Sequence, residues 1–272
     1  MNVFDLSYDG ILLSDMGYVI CDFDSQGLRT VSNGSKITIN TTPMYGGTLH
    51  AKINSQYDEC LTATFSICKN PCNESDQENM YLSSDDIRIL TRWLNRKDLK
   101  KIKFWSYDYI DIYFEGTFNI DLVCMGNNVI GLTLTMITNR PFALMEDITF
   151  NYDIGTQDKT IEILDVSDEI GYIYPDVTIK CLSDGDLTIH NSMCDGEDVS
   201  IIGCSENEII TLSHPIIESS LITHKIMDCF NFNFLKIANT YESSVNKITF
   251  SLPCKVQITY NPIVKVGVKY GN

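Results

Sequence analysis

A chain of 272 residues with 44% hydrophobic content is long enough to bury one large or two medium cores. Its 36 acidic against 20 basic residues give a net charge of -16, which disfavours general binding to nucleic acid or anionic membrane. The first ten residues lack a basic stretch followed by an apolar one, and no apolar run nears the roughly 20 residues of a membrane span. Neither an export signal nor a membrane anchor is therefore expected.

From the N-terminus, alternating segments dominate. Ile37 and Ile39 alternate in KITIN; Leu61, Ala63, Phe65 and Ile67 in CLTATFSI; Ile110, Ile112 and Phe114 in YIDIYFEG; Ile130, Leu132, Leu134 and Met136 in VIGLTLTMI. Period two predicts strands with one buried face. Turn dipeptides separate them. Asn33-Gly34, Asp184-Gly185 and Asp195-Gly196 suit hairpins in which both central residues reach positive φ, and Gly126-Asn127-Asn128 predicts a hairpin before the strand from Val129.

One segment breaks the alternation. Ser83 or Ser84 can cap a helix, with Asp85 and Asp86 at its positive end, and Ile87, Leu90, Thr91 and Leu94 then share a face beside Trp93. Arg88, Arg92 and Arg96 line another face, and Lys97, Lys100 and Lys101 suit the C-terminal end. The spacing predicts one amphipathic helix from about Ser84 to about Asn95, laid on a sheet. Arg140-Pro141 ends the strand finishing at Thr138, and the polar stretch from Tyr152 to Lys159 places a domain boundary near 140–160. Residues 160–268 read as strands and turns without a convincing helix, a pattern that suggests a β-sandwich.

Chemistry-bearing motifs are scarce. The four histidines, His50, His190, His214 and His224, form no metal-ligand spacing, and no nucleophile elbow, phosphate loop or dinucleotide fingerprint is present. The ten cysteines read as reduced; most sit in apolar strand-like runs as small core residues, as Cys124, Cys181 and Cys254 do. Cys68 and Cys72 form a lone C-x3-C that no second pair completes. The acidic pairs Asp22/Asp24, Asp108/Asp111 and Asp184/Asp186 could be argued as a glycosidase's carboxylates, but spacing in sequence does not set their separation in space, and the turn accounts for Asp184 and Asp186. No catalytic residue, metal or cofactor is assigned.

The order of motifs resembles the distal tail proteins of long-tailed phages that infect Gram-positive hosts. FDLSYDGILLSDMGYVI is similar to the family's opening strands, and Tyr45-Gly46-Gly47-Thr48 to its Gly-rich segment. SSDDIRILTRWLNRKDLKKIKF resembles its helix, with Trp93-Leu94 at the tryptophan-leucine position. YIDIYFEGTF resembles the strand with an aromatic and a Gly, here Tyr113 and Gly116, and Thr138-Asn139-Arg140-Pro141-Phe142-Ala143 the end of the first half. GDLTIHNSMCDGEDVSIIGCSENEIITLS is similar to the paired hairpins, with an Asn before the first turn and a Gly-x-x-x-x-Glu step. FNFNFLKI and VNKITFSLPCKVQITYNPIVKVG resemble the closing strands. The polar insert at 69–79 departs from the pattern.

The resemblance implies a mainly β fold. Residues 1–150 would be a ring-forming β-sandwich with one helix, and residues 151–272 a galectin-like β-sandwich whose last strand, about 264–268, returns to the first domain. It implies a structural hub, assembled in the bacterial cytoplasm and placed at the tail tip of the virion. Its partners would be copies of itself (most often six), the tail tube protein, a tail-tip protein and a receptor-binding protein, with DNA passing through the lumen. The acidic charge would then keep that lumen slippery for phosphate. A second reading is a carbohydrate-binding module for cell-wall glycans, with Tyr172 and Tyr174 as an aromatic contact, although both suit packing as well.

Overall fold

The computed structural model describes residues 2–23, 36–44, 50–73, 80–106, 111–266 and 269–270. The expected turn at Asn33-Gly34, the segment Tyr45-Gly46-Gly47-Thr48, Ile110, Asp24, Asp108 and most of the polar insert lie outside them. The chain is mainly β and divides into two compact units, residues 1–144 with 264–272, and residues 145–263.

In chain order the first elements are β1 (Asn2–Tyr8), β2 (Ile11–Leu12), β3 (Tyr18–Cys21), β4 (Ile37–Pro43), β5 (His50–Tyr57), β6 (Thr62–Lys69), α1 (Ser84–Leu94), β7 (Lys100–Ser106), β8 (Ile112–Met125), β9 (Asn128–Thr138) and β10 (Ala143–Met145). The main sheet of unit 1 runs β2-β1-β7-β8-β9-β6-β3. Most of the period-two residues fall where they should: Leu61, Phe65, Ile67, Ile112, Phe114, Leu132, Leu134 and Met136 are buried, and Ala63 and Ile130 are half-buried. Phe118 of β8 meets Tyr8 of β1 edge-on at 5.4 Å and Phe65 of β6 at 6.0 Å, although each of those strands stands two places from β8. Rings reach that far only if the sheet curls over its own apolar face. Gly116 serves the same closure, because a Cβ there would lie 2.4 Å from the Ile137 carbonyl oxygen.

Helix α1 starts on a complete capping box. Ser83 Oγ accepts from the Asp86 amide at 3.1 Å, and Asp86 accepts from the Ser83 amide at 2.9 Å. Its buried residues are Leu90, Trp93 and Leu94. Thr91, expected on that face, is exposed; the stripe runs through Trp93, whose indole N–H donates to the Tyr8 carbonyl at 3.2 Å. Lys100 and Lys101 belong to β7 and not to the helix end, since the helix stops at Leu94.

Unit 2 comprises β11 (Ile148–Ile154), β12 (Lys159–Leu164), β13 (Gly171–Ile173), β14 (Asp176–Cys181), β15 (Gly185–Asn191), β16 (Val199–Cys204), β17 (Ile209–Ser213), β18 (Ile216–Ser219), α2 (Ile226–Cys229), β19 (Ile237–Asn239), β20 (Val245–Phe250) and β21 (Cys254–Tyr260). A sheet ordered β11-β21-β14-β17-β18 packs on one ordered β12-β20-β15-β16. Alternate residues of both, among them Val177, Ile179, Ile189, Ile201, Ile248, Phe250, Val256 and Ile258, build one core. The strands β22 (Ile263–Val264) and β23 (Lys269–Tyr270) follow, and β23 adds in parallel to β1 of unit 1.

Three readings need correction. Helix α2 interrupts the second half; at four residues it is too short to show periodicity. Positive φ falls on Gly185, Gly196 and Gly126 and not on the residues beside them, so none of these turns places two successive residues there. In FNFNFLKI only Phe230 forms a bridge, to Ile201, and a strand resumes at Ile237. Asn side chains bond the backbone there in place of a ladder.

Candidate functional site

The tyrosines singled out as a glycan contact stand in unit 2, on and just after β13. Tyr172 and Tyr174 meet edge-on at 5.4 Å. Tyr174 lies flat on His214, with centroids 4.0 Å apart and planes 7° apart, and Phe234 meets both rings edge-on. The ammonium of Lys236 sits 4.4 Å from the Tyr172 centroid and pairs with Glu197. That pairing, ahead of the neighbouring tyrosines, raises the Lys236 pKa above its ordinary value. One face of each tyrosine is therefore engaged within the chain, which fits packing better than an open platform.

Beside them opens a cleft of about 310 Å³ lined by Tyr174, Glu197, His214, Pro215, Phe232, Asn233, Phe234 and Lys236. A second, shallower groove of about 450 Å³ crosses the outer face of β11, β21, β14 and β17.

The sequence reading missed a buried ion pair. Glu208, fully enclosed, accepts from Ser219 Oγ at 2.5 Å and the Ser205 amide at 2.9 Å, and faces His224 Nδ1 at 2.6 Å. His224 Nε2 faces the Ile202 carbonyl at 3.0 Å. Both ring nitrogens meet acceptors, so both bonds form only on the doubly protonated ring. Burial alone would raise the Glu208 pKa, but the Ser219, Ser205 and His224 donors more than reverse it and hold the carboxyl below its ordinary range. The signal available was the Gly-x-x-x-x-Glu step, which ends on this residue. The pair ties the β16–β17 turn to the segment after β18 and opens onto neither cleft, so its role is structural.

The other candidates disperse. His190 Nδ1 pairs with Asp198 at 2.7 Å on the surface. Asp184 and Asp186 accept from the amides of Glu206 and Gly203, as turn residues do. Cys181 and Cys254 are buried, whereas Cys124 is exposed because its end of the β8–β9 hairpin extends beyond the buried rows. Among the described residues, no group of three or more His, Cys, Asp or Glu could hold a metal, and no helix is long and apolar enough to cross a membrane.

In unit 1 the surprise is the two-stranded β4–β5 sheet. Ile37 and Ile39 alternate as expected but are 57% and 58% exposed, and Ile53, at the bulge between the Asn40–Asn54 and Thr41–Lys52 pairs, is 67% exposed. Among the described residues, Tyr57, the partner of Ile37 in this row, meets Phe142 edge-on at 6.4 Å, and the three isoleucines stay exposed. The two units also differ in charge. Unit 1 has 17 acidic and 14 basic residues, net -3; unit 2 has 19 and 6, net -13.

Comparison with known proteins gives matches of three kinds. The family described as phage tail protein N-terminal domain matches residues 1–140, and that described as phage tail C-terminal domain matches residues 142–260. The SPbeta prophage-derived protein YomH of Bacillus subtilis (strain 168) is 25% identical over 186 residues, covering 66% of this chain and 70% of that protein. The crystal structure of the SPP1 Dit (gp 19.1) protein, described as a paradigm of hub adsorption apparatus in Gram-positive infecting phages, matches with a TM-score of 0.64 at 12% identity, over 96% of this chain and 99% of that chain. At that identity the likeness is one of fold.

Proposed function

Because this chain belongs to the phage tail proteins whose two domains match its two halves, we propose that it is the hub subunit at the distal end of a long tail, closing with copies of itself into a ring of six that joins tail tube to tail tip. The role is structural, acting by shape and buried surface and not by a reactive cleft. The likeness of fold to the SPP1 hub protein, which spans both halves of the chain, supports this reading.

The observation that carries the ring is the β4–β5 hairpin. A lone two-stranded ribbon is marginal in water, and this one shows Ile37, Ile39 and Ile53 to solvent. A neighbouring copy covering that row resolves both problems. Cyclic symmetry then repeats one heterologous contact until the ring closes.

Charge refines the picture of the lumen. In a ring built from unit 1, each copy brings a net charge of only -3, because most of the acidic excess lies on unit 2. There it favours solubility and repels anionic polymers.

Native mass spectrometry and negative-stain imaging of the purified chain test the assembly. Closed rings of six are expected, and the double substitution Ile39→Asp with Ile53→Asp should give folded monomers. A wild-type chain that stays monomeric at micromolar concentration would overturn the reading.

A further inference from the structure

Phe232 carries two costs that the fold does not require. Its φ is +61°, a region that bulky side chains rarely enter. Its ring is 62% exposed, while Phe230 is buried and Phe234 packs on the core. The neighbouring asparagines hold it so. Asn231 and Asn233 both donate from Nδ2 to the Asp198 carbonyl, at 2.7 and 3.1 Å. Asn231 Oδ1 accepts from the amides of Ser200 and Asn233, at 3.1 and 3.2 Å. Five residues, FNFNF, thus form a clamp that lifts one aromatic ring to the mouth of the 310 Å³ cleft.

We propose that this cleft is a saccharide site, with Phe232 as the stacking surface and Asn233 and Glu197 as hydrogen-bonding partners for hydroxyls. Tyr174, flat against His214, forms its packed wall, and Tyr172 stands outside the lining, under Lys236. A concave site with aromatic walls and a few polar groups at its edge suits a sugar ring, which has an apolar face and a polar rim. Its volume suits on the order of one or two rings. Charge selects the class: a net -13 on this unit repels phosphate-linked polymers, so the ligand is a neutral saccharide. The proposal rests on the tail-hub reading only for the reason that a glycan would be met there.

Saturation-transfer NMR on the full chain tests it, using cellotetraose, maltotetraose and an N-acetylglucosamine tetramer as neutral probes, poly(glycerol phosphate) as the anionic one, and an apolar peptide as the competing class. At least one neutral tetrasaccharide should bind with a Kd in the range of about 0.1–10 mM. Phe232→Gly should weaken it at least about tenfold while leaving thermal stability equal or higher, because glycine tolerates positive φ; Phe232→Tyr should restore binding. No binding by any neutral probe, binding indifferent to Phe232→Gly, or binding of the poly(glycerol phosphate) or peptide alone would each overturn the site. Native mass spectra of the same samples separate this from the assembly: rings that ignore sugars remove the site, and a monomer that binds them removes the ring.

Discussion

Glu208 and His224 form a buried pair, 2.6 Å apart, that closes the turn between β16 and β17 against the segment following β18. The carboxylate has three protein donors and the imidazole two acceptors. Removing one partner strands the other in the interior. Glu208→Gln should cost about 1–3 kcal/mol, and Glu208→Ala about 3–5 kcal/mol because it leaves an unpaired buried group. Amide exchange across the 204–209 turn measures the effect directly.

The same pair sets an acid limit. Glu208 is held below its ordinary value of 4.5, so its contribution is complete above that value and is lost as pH falls through the lowered one. Unit 2 should therefore lose stability as pH drops below about 4.5, and Glu208→Gln should make that decline shallower. An unchanged acid limb in the variant would refute the assignment.

Gly116 and Gly155 offer a matched contrast. An added methyl at Gly116 meets the Ile137 carbonyl oxygen at 2.4 Å, whereas at Gly155 its nearest neighbour is Asp153 Oδ1 at 3.9 Å. Gly116→Ala should destabilise unit 1 by about 1–3 kcal/mol, and Gly155→Ala should be neutral or slightly stabilising. Both tryptophans, Trp93 and Trp105, lie in unit 1, so their emission during urea unfolding reports the first change without interference from unit 2.

The cap of α1 is tested by Ser83→Ala. Losing the bonded hydroxyl should cost about 1 kcal/mol and loosen Trp93, whose N–H holds the Tyr8 carbonyl. A red shift of the tryptophan emission before the main transition is the expected sign.

Much of the fold was legible because the periodicity of burial is written into each strand. CLTATFSI and VIGLTLTMI buried most of their alternate residues, with Ala63 and Ile130 half-buried, and Ser83 or Ser84 followed by Asp85 and Asp86 marked a helix start, which the structure places at Ser83. The candidate site was legible only in part. Tyr172 and Tyr174 were noticed, but their partners His214, Phe234 and Lys236 arrive from segments 40 to 64 residues further on. FNFNF misled because alternation of apolar and polar residues looks alike whether asparagine faces solvent or bonds the backbone.

The sequence by itself determined the strand-rich class, the one long helix, the pair of serines from which its cap comes and the absence of a local catalytic motif, since all of these follow from neighbours along the chain. Only the tertiary structure decided that Ile37 and Ile39 stay uncovered, that Glu208 meets His224 and that Phe232 is turned outward. Each depends on which distant surface comes to lie beside the residue, and a hydrophobic or charged side chain carries no record of which partner will cover it.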